Sequence, residues 1–124
     1  MRRLAALAAV LSLLASAGVA VAGRGGPPAF PNLPGAWAHV EINERIARQP
    51  HTLILDRGRI VKATSTDLTL NELGTNVDIP LSPTTIIVFG RRVITPAQLR
   101  RGLYAETMRV DGGPAVRVRE LLRP

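Results

Sequence analysis

The sequence predicts an all-β fold: a small antiparallel barrel of about six to seven strands with one short helix, carried behind an N-terminal signal peptide. Three observations support this. From Val40 onward, apolar and polar residues alternate in short two-residue patterns. Breaks rich in Gly, Asp, Asn, Ser and Pro interrupt that alternation at intervals of roughly ten residues. Residues 1–22 stand apart from the rest, with a cationic start followed by an uncharged run.

That opening segment begins Met1-Arg2-Arg3, continues through the Ala-, Leu- and Val-rich stretch Leu4–Ala22, and closes on Ala20-Val21-Ala22. The small-x-small ending is a signal-peptidase pattern, and Gly23-Arg24-Gly25-Gly26-Pro27-Pro28 cannot continue a helix. Retention as a membrane anchor is the competing reading. A spanning helix needs about 20 apolar residues, a length this alanine-rich run only just reaches. The chain has no cysteine, so neither lipid attachment through a lipobox cysteine nor a disulfide framework is available. Arg2-Arg3 lacks the flanking pattern of a twin-arginine signal, so the general secretory route is expected, with the mature chain starting at Gly23.

Residues 23–35 carry Pro27, Pro28, Pro31 and Pro34 among glycines and read as a disordered or extended Pro/Gly-rich tether. Residues 36–124 form the expected domain. Val40 and Ile42 alternate with Glu41 and Asn43, which predicts a strand reaching Ile46; a helix over 36–48 with Trp37, Val40 and Ala47 on one face is the alternative. His51–Ala63 is β-rich, with Asp56-Arg57-Gly58 read as a turn or bulge inside it. Leu68 and Leu70, then Val77, Ile79 and Leu81, give two more strands around Gly74, and Pro80 marks the second as an edge. Thr84–Phe89 is a run of β-branched residues. Thr95, Pro96 and Gln98 make a capping-box start for a short helix over Pro96–Arg101, ended by Gly102, with Leu99 facing inward. Leu103–Val110 and Ala115–Leu121 flank the hairpin signal Asp111-Gly112-Gly113-Pro114.

The order Gly58-Arg59-Ile60-Val61-Lys62-Ala63, Asp67-Leu68-Thr69-Leu70, Val77-Asp78-Ile79-Pro80-Leu81, Thr84-Thr85-Ile86, short helix, Gly102-Leu103-Tyr104-Ala105 and a final hairpin resembles a family of small extracytoplasmic bacterial β-barrel domains of unknown function. These are OB-like in architecture. The resemblance covers residues 51–121 and departs at Arg101-Gly102-Leu103, where such domains often carry Gly-Asp. It implies a fold and a compartment and transfers no catalytic residue.

Chemistry is sparse. His39, Glu41, His51 and Asp56 are the one grouping of metal-ligand types, but two histidines twelve positions apart in a β-rich stretch do not match a ligand spacing, so neither metal nor cofactor is expected. Ser65 and Ser82 lie in turns outside any Gly-x-Ser-x-Gly elbow. Asp56, Asp67, Glu72 and Asp78 lie in turns or on polar faces, as solvated carboxylates do. The chain is therefore expected not to be an enzyme.

Charge is the remaining signal. The formal net charge is +7, or +5 once residues 1–22 with Arg2 and Arg3 are removed, and Lys62 is the single lysine. The arginines cluster as Arg57/Arg59, Arg91-Arg92, Arg100-Arg101 and Arg117/Arg119. Arg117 and Arg119 share one strand face opposite Val116 and Val118. The candidate anion-binding residues are Arg91, Arg92, Arg100, Arg101, Arg117 and Arg119, with envelope polymers or lipid headgroups as the ligands their chemistry fits. Nucleic acid is disfavoured by the few aromatic residues available for base stacking. The expected function is a secreted or envelope-associated, non-enzymatic structural or interaction module, its partners anionic envelope polymers or another envelope protein. Membrane attachment follows only from an uncleaved signal segment.

Overall fold

The computed structural model describes residues 27–124. The expected signal peptide and the start of the expected tether lie outside those residues. Eight strands follow one another: β1 (His39–Ile46), β2 (Gln49–Ala63), β3 (Asp67–Glu72), β4 (Thr75–Pro80), β5 (Ile86–Phe89), β6 (Arg92–Ile94), β7 (Tyr104–Val110) and β8 (Ala115–Leu121). They form one sheet in the order β4-β3-β2-β7-β8-β5-β6, with β1 also paired to β2. Every pairing is antiparallel except β5 with β8.

The length of β2 organises the molecule. It runs for 15 residues, so one of its edges serves two partners in succession. Gln49–Asp56 pairs with β1, and Arg59–Ala63 pairs with β3. Its other edge pairs with β7 over Leu53–Arg59. The sheet coils but does not close, since its path ends at β4 and β6, which do not pair with each other.

Side-chain alternation then builds two cores, one on each face of the sheet. The inner core gathers Ile60, Leu68, Leu70, Ile79, Leu81, Ile87, Ile94, Leu99, Ala105, Ala115 and Val118, with Phe89 and Leu103 packed against it. The outer core is smaller: Leu53, Leu55, Met108 and Val110, covered by Val40, Ile42 and Ile46 of β1 and by Phe30, Leu33 and Trp37. Each fully buried leucine contributes about 1.5–3 kcal/mol of apolar burial. From Pro27 on, the Pro/Gly-rich segment is therefore an extended strap lying against the outer face.

Residues 39–46 are the strand expected to reach Ile46 and not the alternative helix, with Val40 and Ile42 facing Leu55 and Leu53 across the β1–β2 ladder. Other expectations are corrected. The strand continues straight through Asp56-Arg57-Gly58, and the irregularity lies later, between Ile60 and Lys62. Gly58 is there for a different reason: a Cβ on it would stand 2.5 Å from the Asn71 carbonyl oxygen, so β3 passes too close for any side chain. The helix expected over Pro96–Arg101 is a single 3₁₀ turn, Pro96–Gln98. The start signal is genuine, with the Gln98 side chain accepting from the Thr95 N–H at 2.9 Å. Leu99, however, leaves the turn in extended conformation and is buried in the inner core, so the helix cannot propagate. Strand count rises to eight because the short β6 closes a hairpin on β5 at Gly90, whose φ of 60° suits a primed turn.

Candidate functional site

The outer face gathers four arginines near one carboxylate, and strand register puts them there. Leu53, Leu55, Arg57 and Arg59 share one side of β2 and face Val110, Met108, Glu106 and Tyr104 of β7. Met108, Glu106 and Tyr104 in turn face Arg117, Arg119 and Leu121 of β8. One half of this surface is apolar, and the strap covers it and reaches onto the other half. The other half holds Arg57, Arg59, Arg117 and Arg119 around one carboxylate.

That carboxylate, Glu106, is 2% exposed. It accepts from Arg57 Nε at 3.0 Å and Nη2 at 2.7 Å, and from Arg119 Nη2. A carboxylate so deeply buried is tolerable only with charge-assisted bonds on both oxygens. Aromatic rings complete the packing. The Arg57 guanidinium stacks 4.1 Å from the Trp37 ring centroid, Arg119 lies 4.9 Å from Phe30, and Arg59 lies 5.5 Å from Tyr104 while donating to its hydroxyl at 3.2 Å. Arg117 is spent on the strap: its Nε and Nη2 donate to the carbonyls of Pro28 and Pro27 at 2.8 and 3.0 Å.

Among the described residues, the cations left facing solvent on this side are Arg59, Lys62 and the rim of Arg119. Lys62 joins them because the irregularity after Ile60 sets it opposite Thr69, on the same side as Arg59 opposite Asn71. Sequence reasoning named Arg117 and Arg119 and saw that they share a face. Lys62 and Glu106 are not assigned to this face by the sequence, because their places depend on the β2–β3 and β2–β7 registers.

The other four candidate arginines lie elsewhere. Arg91 and Arg92 are exposed at the β5–β6 hairpin, with Arg92 opposite Phe89. Arg100 stacks 4.5 Å from the Phe89 ring and its Nε donates to buried Glu120 at 2.9 Å. Phe89 and Glu120 lie on the inner side, so Arg92 and Arg100 gather around Phe89, apart from Arg117 and Arg119. Arg101 is exposed in the following turn.

The histidines separate as well. His51 Nδ1 bonds Asp111 at 2.6 Å beside a shallow groove of about 320 Å³ that Asn43 and Thr52 also line. Asp111 also accepts from the Thr52 N–H at 2.8 Å, and these bonds hold its carboxyl below the ordinary range. His39 faces Asp56 across the β1–β2 ladder, with Nδ1 at 2.7 Å from Asp56 Oδ1 and Nε2 at 3.3 Å from Glu41 Oε1. The bond to Asp56 pushes the His39 pKa up. Arg109 Nη2 donates to the second Asp56 oxygen at 3.4 Å. Glu72 reaches this group from β3; burial and the neighbouring Asp56 carboxylate push its pKa up to about 8.

Comparison of the chain with family models, with curated proteins and with solved structures finds no match to any of them.

Proposed function

We propose that this chain is a non-enzymatic, extracytoplasmic interaction module that holds an anionic partner on the outer face of its sheet. The supporting observation is the register that sets Arg57, Arg59, Arg117 and Arg119 on one side, with Lys62 alongside and aromatic rings between them. Glu106 holds Arg119 and Tyr104 holds Arg59, so these two cations meet an anion without first losing much side-chain freedom, with exposed Lys62 beside them. Polyanion binding by such a surface runs on counterion release. The export signal at residues 1–22 directs the choice of partner toward an anionic polymer of the envelope. The coiled, incompletely closed sheet fits an open variant of the OB-like barrel that the strand order resembles.

The test is a salt titration of the purified protein against labelled polyphosphate. The Arg59→Ala/Lys62→Ala variant is expected to weaken binding and to lower the log–log salt slope by about 1 for each cation removed. An unchanged slope would overturn this reading. A second site, around Phe89, is favoured by the stacking of Arg100 on that ring with Arg92 opposite. Loss of binding in Arg91→Ala/Arg92→Ala, with Arg59→Ala/Lys62→Ala unaffected, would move the site there.

A further inference from the structure

The inner face of the sheet holds a polar cluster that the outer-face function does not use. His39 of β1, Asp56 of β2 and Glu72 of β3 converge at the point where β1 gives way to β3 along the edge of β2. Each offers one ligand atom, and the three atoms lie within 4.8 Å of one another. The convergence depends on Gly58: a Cβ there would also stand 3.2 Å from Glu72 Cγ and push that carboxylate away.

Two features distinguish this cluster from an ordinary buried ion-pair network. The first is unmet bonding capacity. Thr107 is fully buried and faces Asp56 across the β2–β7 ladder, yet its hydroxyl has no hydrogen-bond partner among the described residues. One oxygen of Glu72 is likewise buried without a partner. Polar atoms removed from water are normally satisfied, and here two lacking partners belong to one neighbourhood. The second feature is the orientation of His39. Its Nδ1 faces Asp56, while its Nε2 is held by Glu41. A carboxylate on the far nitrogen is the outer support that metal-bound histidines characteristically have.

We propose that His39 Nδ1, Asp56 Oδ1 and a Glu72 oxygen bind a divalent transition-metal cation. One imidazole and two carboxylates suit a borderline cation of the zinc type better than calcium or magnesium, which take oxygen ligands. The Thr107 hydroxyl supplies a fourth ligand or holds a metal-bound water. Arg109 stays on the second oxygen of Asp56, where it neutralises part of the acid charge and leaves Oδ1 to the metal beside His39. Metal binding replaces the proton between His39 and Asp56 and the proton that Glu72 carries, and both leave to solvent. Entry is from the His39 side, since that side chain is 47% exposed while Asp56 is 1% exposed.

Zinc chloride titrated calorimetrically into the chelator-stripped protein is expected to bind one equivalent. His39→Ala is expected to weaken that binding by at least about tenfold. Because His39 lies at the surface, that variant is expected to keep its fold, as circular dichroism will check. His51→Ala serves as the comparison and is expected to bind like the parent. Thr107→Val separates the metal role from a structural one. Removing an unsatisfied hydroxyl from a purely structural site leaves stability equal or higher, whereas zinc affinity falls if the hydroxyl serves the metal. Absence of saturable zinc binding, or one-to-one binding that survives His39→Ala undiminished, overturns the proposal.

Discussion

Gly58→Ala tests the close approach on which both the β2–β3 ladder and the inner polar cluster rest. The new Cβ would stand 2.5 Å from the Asn71 carbonyl oxygen and 2.9 Å from its carbon, roughly 1 Å inside ordinary van der Waals contact. Both obstacles are backbone, tied into the pairing of Asn71 with Arg59, so no side-chain rotation relieves the clash. Overpacking of this kind costs about 1–3 kcal/mol, and a backbone obstacle puts the cost in the upper part of that range. Alanine regains roughly 0.5–1 kcal/mol of unfolded-state entropy, leaving a net loss of about 2 kcal/mol. For a domain of this size that is a fall in Tm of roughly 8–16 °C. Urea unfolding followed by Trp37 fluorescence gives the free energy directly. Gly113→Ala is the internal comparison: its Cβ would stand 3.3 Å from the Val110 carbonyl oxygen, so the midpoint should shift far less. A Gly58→Ala midpoint equal to that of the parent would refute the close approach.

Three further outcomes are expected. Glu106→Ala strands Arg57 and Arg119 beside the outer core and should cost about 3–5 kcal/mol, read from urea midpoints. Glu72 and His39 both hold their protons more tightly when folded, so the metal-free protein should lose stability as pH rises from near 5 toward 8 and beyond; in Glu72→Gln the loss should shrink, and an equally steep fall there would contradict the assignment. Leu73 is 93% exposed at the β3–β4 turn with φ of 50°, so Leu73→Asn should relieve left-handed strain and raise stability by about 1 kcal/mol in the same unfolding assay.

Much of the fold is legible in the chain because local alternation carries it. Leu68/Leu70 and Val77/Ile79 face inward as their spacing requires, and the Asp111-Gly112 turn joins the two strands it was read to join. The short helix failed because six residues offer a cap but too few propagating bonds, and burial of Leu99 decides the matter. The sites were less legible because they depend on register between distant strands. Asp56 reads as a turn residue in sequence, yet pairing with His39 and Thr107 sets it deep on the inner face. Glu72 reads as a solvated strand-end carboxylate until Gly58 lets it fold over toward Asp56. Two histidines that look like one group are parted because β1 runs antiparallel to β2, with His39 near one end of their ladder and His51 toward the other.

The strap has a consequence for the order of folding. Pro27 and Pro28 are held by Arg117, which lies 90 and 89 positions further along the chain. During synthesis the strap emerges ahead of strands β1 to β8, while its seat is completed only when β8 takes its place against β7. Pro27 and Pro28 therefore wait for β8, and their seat cannot form by stepwise growth along the domain. A closure spanning nearly the whole domain gives high contact order, which makes folding slow and concerted. It also makes the arrival of β8 the event that commits the domain to its folded state.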